Sequence, residues 1–242
     1  MNLIIDVGNS RVKIAVFYNS TITYYEEVLL INLDAALFKI FTKNSKITHA
    51  MLSSVGKLTE KQLKTVASYC RVYVVGPDIK IPFENKYQTP NTLGADRIAL
   101  ATAAYFLYPN QNALLIDAGT CVTFDLITDK AAYLGGAISL GLKTRYKALH
   151  DYTAKLPLLS PKHPKNYIGN TSEESIHSGV VNGMCVEIDG VISQYKADFE
   201  NLTVILTGGD AHFLSIRLKN SIFANDKFLL EGLNYLLEYN KQ

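Results

Sequence analysis

Two aspartates end apolar β-like runs, each followed closely by a glycine and a small polar side chain. The first phrase is Leu3-Ile4-Ile5-Asp6-Val7-Gly8-Asn9-Ser10, and the second, at the midpoint of the chain, is Leu114-Leu115-Ile116-Asp117-Ala118-Gly119-Thr120. Each leads into another β-like run, Val12 to Tyr18 and Val122 to Thr128. The pattern suits polyphosphate binding, because a nucleoside triphosphate brings about four negative charges that need cations, backbone N–H donors and hydroxyl donors. Gly8 and Gly119 let main-chain amides approach phosphate oxygens where a Cβ would intrude. Asn9, Ser10 and Thr120 add side-chain donors. Asp6 and Asp117 would repel phosphate directly, so they suit a metal ion or its bound water. Arg11 and Lys13 alternate along the next strand, which leaves open whether one faces the phosphates or both lie on a solvated face.

Two further groups carry chemistry. Thr207-Gly208-Gly209-Asp210 is a glycine turn at a strand end, and its place after two phosphate turns suits Gly208 and Gly209 to a nucleoside, where flat backbone lets a base lie close. Gly94-Ala95-Asp96-Arg97 opens an alanine-rich helix. A carboxylate at a helix start is favoured by the helix dipole, and it can accept a proton from an attacking hydroxyl. Arg97 offers a planar fork for a carboxylate, with a surface ion pair as the ordinary alternative. Thr171, after Asn170 and before a long helix, is equally readable as a helix cap.

The elements that must position these residues follow from periodicity. Residues 2 to 28 alternate as two or three antiparallel strands with Asn19-Ser20 at a hairpin turn. Helical spacing covers 33 to 41, a buried strand 47 to 55, a helix 59 to 69 capped by Thr59, and a strand 72 to 75. Residues 78 to 92 contain Pro82 and Pro90 and read as a loop on the rim of the cleft. A helix follows to Tyr108. The second half holds the repeated strand pair, a third strand over 133 to 142, a helix over 143 to 150 and a proline-bearing irregular region. One long buried helix is expected over 172 to 195, with Gly179 and Gly183 marking close packing or approach to a ligand. A strand over 203 to 206 and a helix over 227 to 239 complete the chain. The repeat predicts two domains, 1–110 with the first phosphate turn and Asp96, and 111–242 with the second phosphate turn and the nucleoside loop.

Composition narrows the classes. Lys and Arg number 24 against 22 for Asp and Glu, so no general electrostatic case exists for nucleic acid or an anionic membrane surface. Three widely spaced cysteines, Cys70, Cys121 and Cys185, predict reduced and mostly buried thiols rather than a disulfide framework or metal knuckle. No signal peptide or spanning stretch is apparent. A cytoplasmic location is expected.

The order of phosphate, phosphate and nucleoside turns resembles the acetate kinase, sugar kinase, Hsp70 and actin superfamily. That resemblance implies an α/β, duplicated ribonuclease-H-like (actin-like ATPase) fold, with two mixed-sheet domains flanking a nucleotide cleft. The detail is similar to type III pantothenate kinases: Asp6 to Ser10, Tyr87-Gln88-Thr89-Pro90 ahead of Gly94 to Arg97, Asp117 to Thr120, Gly135-Gly136, Thr153 to Pro157, Gly169-Asn170-Thr171 and Ser178-Gly179. Leu140 stands where the family usually has proline, and Ser10 where it usually has threonine.

The resemblance implies ATP-dependent phosphorylation of pantothenate, the first step toward coenzyme A, by a homodimer using Mg2+ and K+ or NH4+. It makes Asp96 the proton acceptor and Asp117 the monovalent-cation ligand. Asp6, Val7, Gly8, Asn9, Ser10, Arg11, Val12, Lys13 and Thr120 would contact ATP. Tyr87, Gly94, Ala95, Asp96, Arg97 and Thr171 would hold pantothenate. Asp6 is additionally suited to a divalent ion through water. Competing expectations are an accessory or regulatory paralogue without catalysis, and a kinase for another small hydroxylated acceptor.

Overall fold

The computed structural model describes residues 1–8, 11–53 and 58–241. The chain divides into two compact units, Met1–Leu107 with Lys227–Gln242, and Tyr108–Asp226. The expected 110/111 boundary thus lies close to the observed one, but the C-terminal segment returns to the first unit instead of staying in the second.

In the first unit, strands β1 (Asn2–Val7), β2 (Val12–Tyr18), β3 (Thr21–Val28), β4 (His49–Ser53) and β5 (Arg71–Val74) form a sheet of order β3-β2-β1-β4-β5. β1, β2 and β3 pair antiparallel, whereas β4 and β5 extend the sheet in parallel. Asn19 turns the β2–β3 hairpin at φ 51°, a conformation Asn tolerates better than most residues. Alternation along β1 sends Leu3, Ile5 and Val7 into one apolar cluster with helix α1 (Leu33–Lys43), through Leu33, Ala36, Leu37 and Ile40. Val66 of helix α2 (Glu60–Tyr69) joins the same cluster. Thr59 caps α2 as expected: its Oγ1 accepts from the Gln62 amide, and its own amide donates to Gln62 Oε1.

The opposite face of β1 carries Asn2, Ile4 and Asp6, since strand side chains alternate. After the two-residue strand β6 (Glu84–Asn85) comes α3 (Ala95–Leu107), whose small residues Ala99, Ala101, Ala103 and Ala104 are buried. The terminal helix, named α8 in chain order (Phe228–Asn240), packs against α3 so closely that a Cβ on Gly232 would overlap the Ala99 carbonyl. Asn2 Nδ2 also donates to Asn234 Oδ1 and Glu238 Oε1. These links across the chain's length explain why the last helix belongs to the first unit.

The second unit repeats the strand order with β7 (Ala113–Ala118), β8 (Cys121–Ile127), β9 (Ala132–Leu140), β10 (Thr203–Thr207) and β11 (Phe223–Ala224). Its sheet runs β11-β10-β7-β8-β9, with β7, β8 and β9 antiparallel and β10 and β11 parallel additions. Helices α4 (Leu142–Asp151), α5 (Ser172–His177), α6 (Gly183–Asp198) and α7 (Ala211–Ser215) complete it. Leu114, Ile116 and Ala118 of β7 meet Tyr146, Val181, Met184 and Ile188 in its core. The fold is therefore α/β with two mixed sheets of one topology.

The expected single helix over 172 to 195 is α5 and α6 joined by a π-helical turn, Ser178–Asn182. Gly179 and Gly183 are exposed, with open space where a Cβ would project. Close packing within the chain therefore does not explain them. The cysteines are all free thiols, but Cys121 is exposed and Cys70 half-buried, leaving only Cys185 fully buried. Among the described residues, no helix is long and apolar enough to cross a membrane.

Candidate active site

Within the first unit, the end of β1 is organised around Asp6. In the sheet register it stands opposite Lys13 of β2 on one side and Ser53 of β4 on the other, so the three side chains share a face. Asp6 is 7% exposed. Burial raises its carboxyl above the usual range; the Lys13 ammonium and a Ser53 hydrogen bond oppose that rise, and the charge of Asp96 adds to it. The structure thus brings Asp6 and Asp96 within electrostatic reach and selects Lys13 as the strand cation facing the carboxylate. Arg11 is exposed.

Val7 and Val12 are buried in the apolar cluster, which leaves their main chain as what they can offer a ligand. The Gly8 amide donates to the Arg11 carbonyl at 3.0 Å, and the Gly119 amide donates to Cys121 O at 2.8 Å. The N–H groups of both glycines are thus engaged in closing their own turns. Asn9 and Ser10 lie outside the described residues.

Asp96 occupies the first turn of α3, half-buried, with one carboxylate oxygen accepting from the Arg97 amide at 2.9 Å. The same oxygen lies over Gly94, where a Cβ would collide with it. Ala95 is half-buried between them. Arg97 is 5% exposed, and its guanidinium stands over the Tyr87 ring, 5.3 Å from the centroid. The loop is held toward this arrangement by the Tyr87 amide donating to Asn85 Oδ1 at 2.9 Å. Tyr87, Gly94, Ala95, Asp96 and Arg97 therefore lie close together.

The second unit builds its own cluster from three turns. Asp117 ends β7, half-buried, with Thr123 of β8 and Thr207 of β10 opposite it in the register. Gly208 has φ +95°, and a Cβ there would overlap both Asp117 Oδ1 and the Ala118 carbonyl, so glycine is required twice over. The Asp210 amide donates to that Ala118 carbonyl at 2.9 Å. Gly209 faces open space. Burial raises the Asp210 carboxyl, and the Lys143 ammonium partly offsets this.

Thr120 is exposed, and its carbonyl accepts two bonds from the start of α4: the Gly141 amide at 3.1 Å and the Thr144 hydroxyl at 2.6 Å. A Cβ on Gly141 would overlap the carbonyl oxygens of Gly119 and Thr120. The buried Thr123 Oγ1 has no hydrogen-bond partner among the described residues. An Asp117 carboxylate, a nearby backbone carbonyl and this hydroxyl are hard oxygen donors of the kind alkali and alkaline-earth cations prefer. No cluster of three or more His, Cys, Asp or Glu suited to a metal occurs among the described residues.

Thr171 caps α5, its Oγ1 accepting from the Glu174 amide at 3.2 Å. It also lines a cleft of about 1050 Å³ with Arg145, Tyr152, Ser175 and Ile176. Arg145 donates to Leu140 O and Ser139 Oγ while pairing with Glu187 at 2.7 Å.

Ser53, Thr123, Thr144 and Lys143 are site neighbours absent from the sequence reading. Period-two alternation from Cys121 would have found Thr123, and a parallel register would have found Ser53. Nothing in the local sequence marks Thr144 or Lys143.

A family profile described as Type III pantothenate kinase matches residues 2–194. A protein of that name from Flavobacterium psychrophilum is 46% identical over 241 residues, covering 100% of both chains. Another, from Flavobacterium johnsoniae, is 47% identical, covering 99% of this chain and 98% of the relative. Among solved structures, a glucokinase from an Antarctic psychrotroph aligns with TM-score 0.54 at 14% identity, covering 98% of each chain. The Arthrobacter inorganic polyphosphate/ATP-glucomannokinase aligns with TM-score 0.51 at 13% identity, covering 99% of this chain and 100% of that one. These structural likenesses establish a shared sugar-kinase fold.

Proposed function

Because the chain belongs to the type III pantothenate kinase family, we infer that it transfers the γ-phosphoryl group of ATP to the primary hydroxyl of pantothenate. The product is 4'-phosphopantothenate, the first intermediate on the way to coenzyme A. The observation that carries the site assignment is the electrostatic coupling of Asp6 to Asp96 beside the Arg97–Tyr87 pair. It supports reading Asp96 as the proton acceptor, Arg97 as the basic substrate anchor and Asp6 as the carboxylate for the nucleotide's metal.

Asp96 takes the proton of the attacking hydroxyl as its oxygen bonds to the γ-phosphorus and the bond to the ADP oxygen breaks. Arg97 and Tyr87, with Gly94, Ala95 and Thr171, hold pantothenate, Arg97 meeting its carboxylate. Residues 6–13 and Thr120 contact ATP, and Gly208 and Gly209 receive its nucleoside. Asp6 would hold Mg2+ by way of its bound water, and that ion would supply charge neutralisation at the phosphates. Asp117 would ligate K+ or NH4+, which would supply a further positive charge, and its oxygen-rich surroundings suit such an ion. We place the enzyme in the cytoplasm, as a homodimer.

The test is incubation of the purified protein with pantothenate, ATP, Mg2+ and K+, with mass detection of phosphopantothenate. Product only from other hydroxylated acceptors would reject the substrate assignment. Equal activity in Na+ would reject the Asp117 cation role, and a monomer by light scattering the homodimer.

A further inference from the structure

The link between α4 and the second phosphate turn points to a residue outside the expected ligand set. The Thr144 hydroxyl donates to the Thr120 carbonyl at 2.6 Å, and the Gly141 amide donates to the same oxygen at 3.1 Å. Gly141 lies so close that a Cβ would penetrate the backbone of Gly119 and Thr120. The Asp117–Thr120 turn is therefore held at Ala118 by the Asp210 amide, at Gly119 by its own bond to Cys121, and at Thr120 by the first turn of α4. Both tie points from α4 converge on the one residue of that turn whose side chain is exposed and carries a hydroxyl.

We propose that Thr144 is a positioning residue for ATP: its hydroxyl clamps the Thr120 carbonyl and so orients the Thr120 side chain and turn backbone toward phosphate. It makes no contact with substrate itself. Without this bond, the Thr120 carbonyl retains only the Gly141 amide from α4, and the turn gains freedom that nucleotide binding must remove. The proposal rests on Thr120 contacting ATP, so the experiment tests the two roles separately.

Steady-state kinetics on wild type, T144V, T144S and T120A would vary ATP at saturating pantothenate and then the reverse, with melting measured with and without MgATP. Loss of one neutral hydrogen bond predicts about a three- to tenfold rise in the T144V KM for ATP. The KM for pantothenate should stay at the wild-type value, and the ATP-induced rise in melting temperature should shrink. T144S, which keeps the hydroxyl, should restore both.

An unchanged ATP KM in T144V, an equal rise in both KM values, or failure of T144S to rescue would overturn the proposal. A lowered melting temperature with an unchanged ATP KM would likewise leave Thr144 a purely structural role. T144A, which deletes the hydroxyl without new bulk, carries the same criteria if T144V does not fold. A sensitive T120A beside a silent T144V removes only the Thr144 role. A silent T120A removes Thr120 from ATP, while a sensitive T144V would then show the clamp acting through the turn's backbone.

Discussion

Arg97 and Tyr87 meet across an irregular loop: the guanidinium lies over the ring at 5.3 Å from its centroid, with the arginine 5% exposed. A cation over an aromatic face is held in orientation by the ring quadrupole. The arrangement leaves a buried fork whose direction is set before any substrate arrives.

If that fork meets the pantothenate carboxylate, Arg97→Met should raise the KM for pantothenate by about 10- to 100-fold, the worth of a charge-assisted hydrogen bond. Tyr87→Ala should cost less, and Tyr87→Phe little, because phenylalanine retains the π face. Kinetics with pantothenate varied at saturating ATP would check this. An unchanged KM in Arg97→Met would remove Arg97 from the substrate site.

Asp96→Asn should lower kcat by about two to four orders of magnitude, the span of a general base. Its affinity for ATP, measured by calorimetry, should remain near wild type. A variant with undiminished kcat would take Asp96 out of proton transfer.

Asp6 should show the cost of keeping a buried carboxylate. Burial holds its carboxyl above the ordinary 3.8 despite Lys13 and Ser53, so the folded protein binds that proton more tightly than the unfolded chain. The resulting stability is fully present below about pH 3.8 and is lost as pH rises through the elevated folded value. At neutral pH the charged Asp6 is therefore a net burden. Asp6→Asn should melt higher than wild type at pH 7, the gap narrowing as pH falls toward the usual carboxylate range. A lower melting point for the variant at pH 7 would mean that the Lys13 and Ser53 contacts outweigh burial.

Thiol labelling should report on the Asp117–Thr120 turn. Cys121 follows Thr120 and is exposed, whereas burial pushes the Cys70 thiol up to about 11 and raises that of Cys185 as well. Reaction requires thiolate and access, so iodoacetamide should modify Cys121 first, and MgATP should slow it several-fold. Peptide mass mapping would read this. A Cys121 rate indifferent to nucleotide would argue against ATP contact at this turn.

The local parts of the fold were legible because local physics determines them. Alternation marked β1, β2, β7 and β8, and Thr59 as a cap announced α2. What escaped was set by contacts distant in sequence. Long-range contacts such as the fit of Gly232 on Ala99, the Asn2 hydrogen bonds and the Asn234–Asn19 bond assign α8 to the first unit. The register across β4 brings Ser53 beside Asp6, which follows only once β1 and β4 are paired in parallel. The π-helical turn at Ser178–Asn182 escaped because its apolar residues continue the helical pattern of their neighbours. The site followed the same division: the aspartates and glycine turns stood out as repeated phrases, whereas the Thr144 clamp depends on how α4 docks.

The return of α8 to the first unit also sets an order of assembly on the ribosome. Residues 108–226 emerge and can close their own core while the half that began first still lacks the helix covering α3. The Asp6–Asp96 region therefore sits in the part of the molecule finished last, and nascent chains halted before residue 228 would carry a completed second unit beside an unfinished first. Translation usually lets leading domains mature ahead of trailing ones; here the leading unit can be completed only after the trailing one has emerged.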